Sequence, residues 1–195
     1  MRSKYKIVFR TTSVIAAALL LFIFYCYLHN FYEVLPGQVY RSRQLSKQEL
    51  IDVTHRYHIK SIINLRGAHP GLVWYQEEMA AANDEHIMHY DIALKSKTLP
   101  NPATLKDLTH LIASAPRPLL IHCQSGVDRT GLASAIALIL ANSSMDDVAK
   151  QVSIRYFVLS ENSTGKQMLR QYNAWLIKQG KTTSRENFIL WLKSL

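Results

Sequence analysis

From Val34 onward, short apolar runs alternate with longer stretches whose apolar positions recur at helical spacing. Val34 to Ser42 reads as a turn followed by a short extended piece, because Pro36-Gly37 is strong turn chemistry. Ser46 followed by Glu49 forms a capping box and opens a helix carrying Leu50, Ile51, Val53 and Tyr57. The β-branched pair Ile62-Ile63, within Lys60 to Leu65, predicts a buried strand. Trp74 to Glu85 reads as a helix, and Ile87 to Leu94 as a strand running into a loop. Pro102 to Ala115 places Leu105, Leu108, Leu111 and Ile112 on one helical face, and Pro116 and Pro118 end it. Leu119 to His122 is a short apolar strand that stops at Cys123, and Thr130 to Leu140 is an apolar helix. Ser144 and Asp147 cap another helix, and helical stretches follow around Met168 to Ile177 and Asn187 to Leu192. Strands alternating with helices predict an α/β fold, a central, mostly parallel sheet flanked by helices. Ligands in such sheets bind beyond the carboxyl ends of the strands, which is where Cys123 falls.

The N-terminal pattern differs. Ser13 to Tyr32 is apolar and aromatic without a charge, matching the roughly 20 apolar residues that cross a bilayer as one transmembrane helix. Tyr25, Tyr27, Phe31 and Tyr32 gather at its far end, as interfacial aromatics do. A cleaved signal peptide would show small residues there, and Tyr27-Leu28-His29-Asn30 is mostly bulky. The expected organisation is a basic flank over 1–12, a membrane anchor over 13–32 and a single domain over 33–195. Arg2, Lys4, Lys6 and Arg10 precede the span, so the positive-inside bias places the N-terminus in the cytoplasm and the domain on the extracytoplasmic side, the periplasm in a Gram-negative cell.

Charge and cysteine content narrow the chemistry. The formal net charge of +9 suits anionic partners, but the basic residues are scattered and no nucleic-acid motif accompanies them. The two cysteines, Cys26 and Cys123, are unlike in setting and form no disulfide framework. The histidines show no metal-ligand spacing, so no metal or other cofactor is expected.

The segment His122-Cys123-Gln124-Ser125-Gly126-Val127-Asp128-Arg129-Thr130-Gly131 carries the candidate chemistry. A tight turn between a strand and a helix directs backbone amides inward, and the helix N-terminus adds positive partial charge. His122, Gln124, Ser125, Gly126, Val127, Asp128 and Arg129 would line this phosphate cradle. Gly126 frees the backbone to curl around the ligand. Arg129 can hold two phosphate oxygens with its planar fork. The same field favours a Cys123 thiolate, which can attack phosphorus. Thr130 could donate its hydroxyl to that thiolate, and His122 orients the loop.

This segment resembles the signature of the protein tyrosine phosphatase superfamily: His-Cys, five residues, Arg, then Ser or Thr. Rhodanese-like domains and small arsenate reductases share the Cys-to-Arg spacing. The Gly126 and Thr130-Gly131 pattern disfavours the first, and the motif's late position disfavours the second. Tyr40-Arg41-Ser42 and Ile62-Ile63-Asn64-Leu65-Arg66 resemble the opening of the dual-specificity-like branch, and the likeness runs from about Leu35 onward. The resemblance implies an enzyme that hydrolyses phosphomonoesters through a phosphocysteine intermediate, with no cofactor. Phosphotyrosine or phosphoserine protein is the first expected substrate. A phospholipid head group is the alternative, and a non-catalytic phosphate-binding module is the rival of another class.

The resemblance also implies a general acid. Asp91, upstream of the cysteine at a strand end, is the first choice. Asp128, inside the loop, is the alternative, since the myotubularin lipid phosphatases are similar at that point. Arg66 and His69 follow a strand on the same edge as the loop, either lining the substrate mouth or forming a solvated turn. Trp74, Trp175 and Trp191 are expected to pack, and Arg155-Tyr156 is similar to a run found in related bacterial sequences.

Overall fold

The computed structural model describes residues 12–15, 17–21 and 30–195. The chain divides into two units, Met1–Asn30 and Phe31–Leu195. In the first, residues 12–15 and 17–21 are helical, and Val14, Ile15, Leu19, Leu20 and Leu21 are exposed. Among the described residues, no helix is long and apolar enough to cross a membrane. Much of the expected anchor, Phe22 to His29 included, lies outside the described residues, as does Cys26. Its last two residues, Phe31 and Tyr32, are not at a helix end but in the first strand. Phe31 stacks on Tyr40 and Tyr57, at 5.6 and 5.0 Å between ring centroids.

The second unit runs β1 (Phe31–Leu35), β2 (Val39–Ser42), α1 (Lys47–Tyr57), β3 (Ser61–Asn64), α2 (Val73–Asp84), β4 (Met88–Asp91), α3 (Pro102–Ser114), β5 (Leu119–His122), α4 (Asp128–Leu140), α5 (Met145–Lys150), a 3-10 turn (Ile154–Tyr156), α6 (Thr164–Gln179) and α7 (Arg185–Ser194). The five strands form one sheet in the order β1-β2-β5-β3-β4. β1 pairs with β2 antiparallel across the Pro36-Gly37 turn, and every other pairing is parallel. The register puts Ser42, His122, Asn64 and Asp91 in line at the carboxyl edge.

Side chains alternate across each strand and so serve two cores. Val39, Ile63, Leu119 and Ile121 pack on one face against Leu105 and Leu108 of α3, Ile136 of α4, Met168 of α6 and Phe188 of α7. Tyr40, Ile62 and Leu120 pack on the other against Leu50 of α1 and Ala81 and Ala82 of α2. α4 is apolar around its whole circumference and accordingly buried along nearly all its length, as such a helix must be. Its N-terminus is thereby fixed at the end of β5. The capping box of α1 forms as expected, with Ser46 Oγ accepting from the Glu49 amide and the Glu49 carboxylate accepting from the Ser46 amide.

Candidate active site

Cys123 follows β5 directly, is buried, and is a free cysteine. The turn from Gln124 to Val127 then leads into α4, whose first residues are Asp128 and Arg129. Two carbonyls of this turn are bonded outward. Gln124 O accepts from Gln44 N at 3.1 Å, and Gly126 O accepts from Arg41 Nη2 at 2.9 Å. In a planar trans peptide the N–H points opposite to the C=O. The amides of Ser125 and Val127 therefore point to the loop's inner side, the arrangement an oxyanion cradle requires.

Gly126 is required for a reason additional to the expected one. Its φ is +70°, and a Cβ there would lie 2.6 Å from Arg43 N and 2.7 Å from Ser42 O. The side chain is excluded by the end of β2 pressing on the loop from outside, and not only by curvature around a ligand.

Arg41 is the brace of that contact. It is fully buried. Nη1 donates to Gln151 O and Oε1 at 3.0 and 2.8 Å, Nη2 to Gly126 O, and its guanidinium lies 4.0 Å over the Tyr156 ring. Burial lowers its pKa to about 10, opposed by the neighbouring Tyr156 and Cys123. Burial of this cation is offset by the bonds of its two terminal nitrogens, of which Nη2 fixes the loop at Gly126 O, while Nε is buried without a hydrogen-bond partner among the described residues. Tyr156 thus acquires a role that its sequence position did not disclose. Arg155 is the more distant partner of the same ring, at 5.8 Å.

Arg129 is partly buried, with Nη1 3.4 Å from Leu65 O at the end of β3. Thr130 is fully buried, and its hydroxyl makes no hydrogen bond to protein. His122 is buried and approaches Glu78 Oε2 with Nε2 at 3.2 Å, an ion-pair distance without hydrogen-bond alignment.

The two candidate acids sit in different surroundings. Asp91 ends β4 and has both oxygens engaged. Oδ1 accepts from Asn64 Nδ2 at 2.7 Å and Oδ2 from Tyr75 O–H at 2.6 Å. The Tyr75 hydroxyl is pushed up to about 12, first by that bond. Asp128 opens α4 beside Arg129. Lys97 Nζ reaches its Oδ2 at 3.1 Å, while its Oδ1 is buried and has no partner.

One group went unread in the sequence. Glu78, on α2, is buried beneath the loop and gathers three neighbours: His89 at 2.7 Å, His122, and the Gln44 amide. Burial alone would raise its pKa. The charge and close approach of His122, then hydrogen bonds from His89 and Gln44, instead hold it well below the usual carboxylate range. A glutamate in an otherwise ordinary helix gave no sign of this. Arg66 and Trp74 also meet: the guanidinium stacks 3.4 Å from the Trp74 ring, and Nη1 donates to Gln44 Oε1 at 2.9 Å. Trp74 is thus a platform for an arginine. His69 Nε2 lies 3.2 Å from Arg66 O and shapes the turn. Among the described residues, no cluster of His, Cys, Asp and Glu has the makings of a metal site.

The profile of the tyrosine phosphatase family matches residues 27–179. The chain belongs to the tyrosine phosphatase family. Solved structures share the fold of this phosphatase. The core catalytic domain of the PP-IP phosphatase SIW14 of S. cerevisiae, in complex with citrate, is 24% identical. It covers 77% of this chain and 89% of its own, with a TM-score of 0.60. TpbA of P. aeruginosa, in complex with pTyr, is 18% identical over 65% of this chain and 74% of its own, with a TM-score of 0.51. PTPMT1 is 12% identical over 77% of this chain and 98% of its own, with a TM-score of 0.54. No curated protein matches the chain in sequence.

Proposed function

We propose that this phosphatase hydrolyses phosphomonoesters through a phosphocysteine intermediate on Cys123. One observation carries the reading: the buried Cys123 opens a loop whose carbonyls are bonded outward at Gln124 and Gly126 and whose end carries Arg129. The phosphate sits in the amide cradle with Arg129 on two of its oxygens. The Cys123 thiolate attacks phosphorus, the P–O bond to the leaving group breaks, and that oxygen takes a proton. Water then attacks the phosphocysteine and gives a proton to the carboxylate that the first step left behind, the S–P bond breaks, and the thiolate leaves. Thr130, with its hydroxyl unspent, supports the thiolate in both steps.

Asp128 supplies the proton. Its Oδ1 has no partner, whereas Asp91 would have to give up a bond to Asn64 or Tyr75 before it could serve. Phosphotyrosine or phosphoserine on protein is the substrate proposed first, and a phospholipid head group is the second reading, favoured by an acid inside the loop beside Arg129. The apolar segment from Ser13 up to the start of β1 tethers the domain to a membrane on its extracytoplasmic side, supported by its apolar run and basic flank.

The test is a leaving-group series of aryl and alkyl phosphates. Cys123→Ser abolishes turnover. Asp128→Ala loses most on the poorest leaving groups, by roughly a hundredfold or more. A flat Asp128→Ala profile together with a steep Asp91→Ala profile reverses the assignment of the acid. Phosphopeptides and lipid vesicles compared by kcat/KM separate the two substrate readings, and protease accessibility in intact cells reports the side of the membrane.

A further inference from the structure

Arg66 is not spent on holding the fold together. Its Nη1 donates to Gln44 Oε1, its backbone N–H donates to Asn64 Oδ1 at 2.9 Å, and among the described residues Nε and Nη2 donate to no acceptor. No carboxylate forms an ion pair with it among the described residues. It follows β3 at the edge where Arg129 reaches Leu65 O, and the two guanidiniums are close enough for Arg129 to depress the pKa of Arg66, after burial. The charges facing Arg66 are Arg129, Glu78 and Cys123.

Two cations brought together without a carboxylate between them repel, and holding a long side chain still costs entropy. Both costs are met here by a built support. The Trp74 ring lies under the guanidinium, 3.4 Å from its centre, and the Gln44 amide is held by Glu78, which His89 and His122 flank. The support runs from Glu78, buried beside His122, through Gln44 to the partly exposed Arg66 guanidinium.

We propose that Arg66 is a second oxyanion-binding residue at the mouth of the site, aimed by the Glu78–Gln44 support, and that it selects phosphomonoesters carrying a second phosphate or carboxylate beside the phosphate that is removed. The inference rests on the phosphatase reading above and deepens it. Arg129 takes the scissile phosphate. Arg66 takes the second anion with the guanidinium edge that Gln44 leaves unused. Gln44 and Glu78 are positioning residues, since they act on the substrate only through Arg66.

A matched pair of small esters tests this: meta-carboxyphenyl phosphate and meta-carbamoylphenyl phosphate, nearly alike in size and differing in one charge. The readout is the ratio of their kcat/KM values, which global damage to folding leaves unaffected. The wild type prefers the carboxylate ester roughly tenfold, mostly through KM. Arg66→Gln brings the ratio close to one, Arg66→Lys keeps part of it, and Gln44→Leu lowers it in part with Arg66 still present. Hydrolysis of both esters at equal kcat/KM by the wild type, or an unchanged ratio in Arg66→Gln, overturns the inference alone. Hydrolysis of neither overturns the phosphatase reading and this inference with it. A phosphopeptide with acidic neighbours and a soluble bisphosphate, run in parallel, show which source of the second anion is preferred.

Discussion

Replacing Glu78 by alanine removes the anchor beneath the catalytic loop. The carboxylate is buried and faces His89 at 2.7 Å, His122 at 3.2 Å and the Gln44 amide. Its loss leaves these polar groups without an acceptor in a region water does not reach freely. Breaking a buried pair from one side costs about 3–5 kcal/mol. For a domain of this size that lowers Tm by roughly 6–20 °C. The pH dependence follows from the lowered folded-state pKa. As pH falls, the unfolded chain takes up the proton first, near the usual glutamate value of about 4.3. The stability contributed by Glu78 is therefore complete above that value and is lost as pH falls through the lower folded value. Urea unfolding of wild type and Glu78→Ala measures this at neutral pH, at about pH 5 and at about pH 3. The gap should be about 3–5 kcal/mol at neutral pH and should narrow from pH 5 to pH 3. A gap under about 1 kcal/mol, or one that does not change between those two acid points, refutes the reasoning.

Other substitutions separate bracing from chemistry. Gly126→Ala forces a Cβ to 2.6 Å from Arg43 N at a φ of +70°. It should destabilise by about 1–3 kcal/mol and lower kcat roughly a hundredfold, read by urea midpoint and by p-nitrophenyl phosphate turnover. Arg41→Met removes a buried charge along with its bonds to Gly126 O and Gln151. The relief of burying that charge offsets part of the lost bonding, so stability should change by less than about 2 kcal/mol while kcat falls about a hundredfold as the loop loosens. Equal proportional losses of stability and activity would assign Arg41 to the fold alone.

How much of this was readable from the chain depended on whether the information was local. The Ser46–Glu49 box, the helix start at Pro102 and the apolar run Leu119-Leu120-Ile121 each carry their own instruction, and each element forms where it was expected. The loop was legible because a strand, Cys123, Gly126 and Arg129 all fall within one short stretch of chain that runs straight into a helix. What was not legible was long-range. Arg41 meets Gly126 and Gln151 only after β2 pairs with β5, and Glu78 meets His89 and His122 only after α2 packs across β4 and β5. The aromatic end of the expected anchor was misjudged for a related reason. Phe31 and Tyr32 suit a membrane interface and a strand equally well, and only the pairing with Ser42 and Arg41 decides between them. Asp91 was placed ahead of Asp128 by its position upstream of the cysteine, whereas what separates the two in the structure is their partners, Tyr75 and Asn64 against Lys97, which no local pattern discloses.

The central claim is that phosphate passes through the sulfur of Cys123. The direct measurement is a rapid denaturing quench of the full-length protein during turnover of an aryl phosphate, followed by peptide mass spectrometry. The peptide containing Cys123 should carry the mass of one phosphoryl group on the cysteine, and Cys123→Ser should neither carry it nor release phosphate. Steady phosphate release by Cys123→Ser, or wild-type turnover with Cys123 never labelled and phosphate found on another residue, would contradict the account.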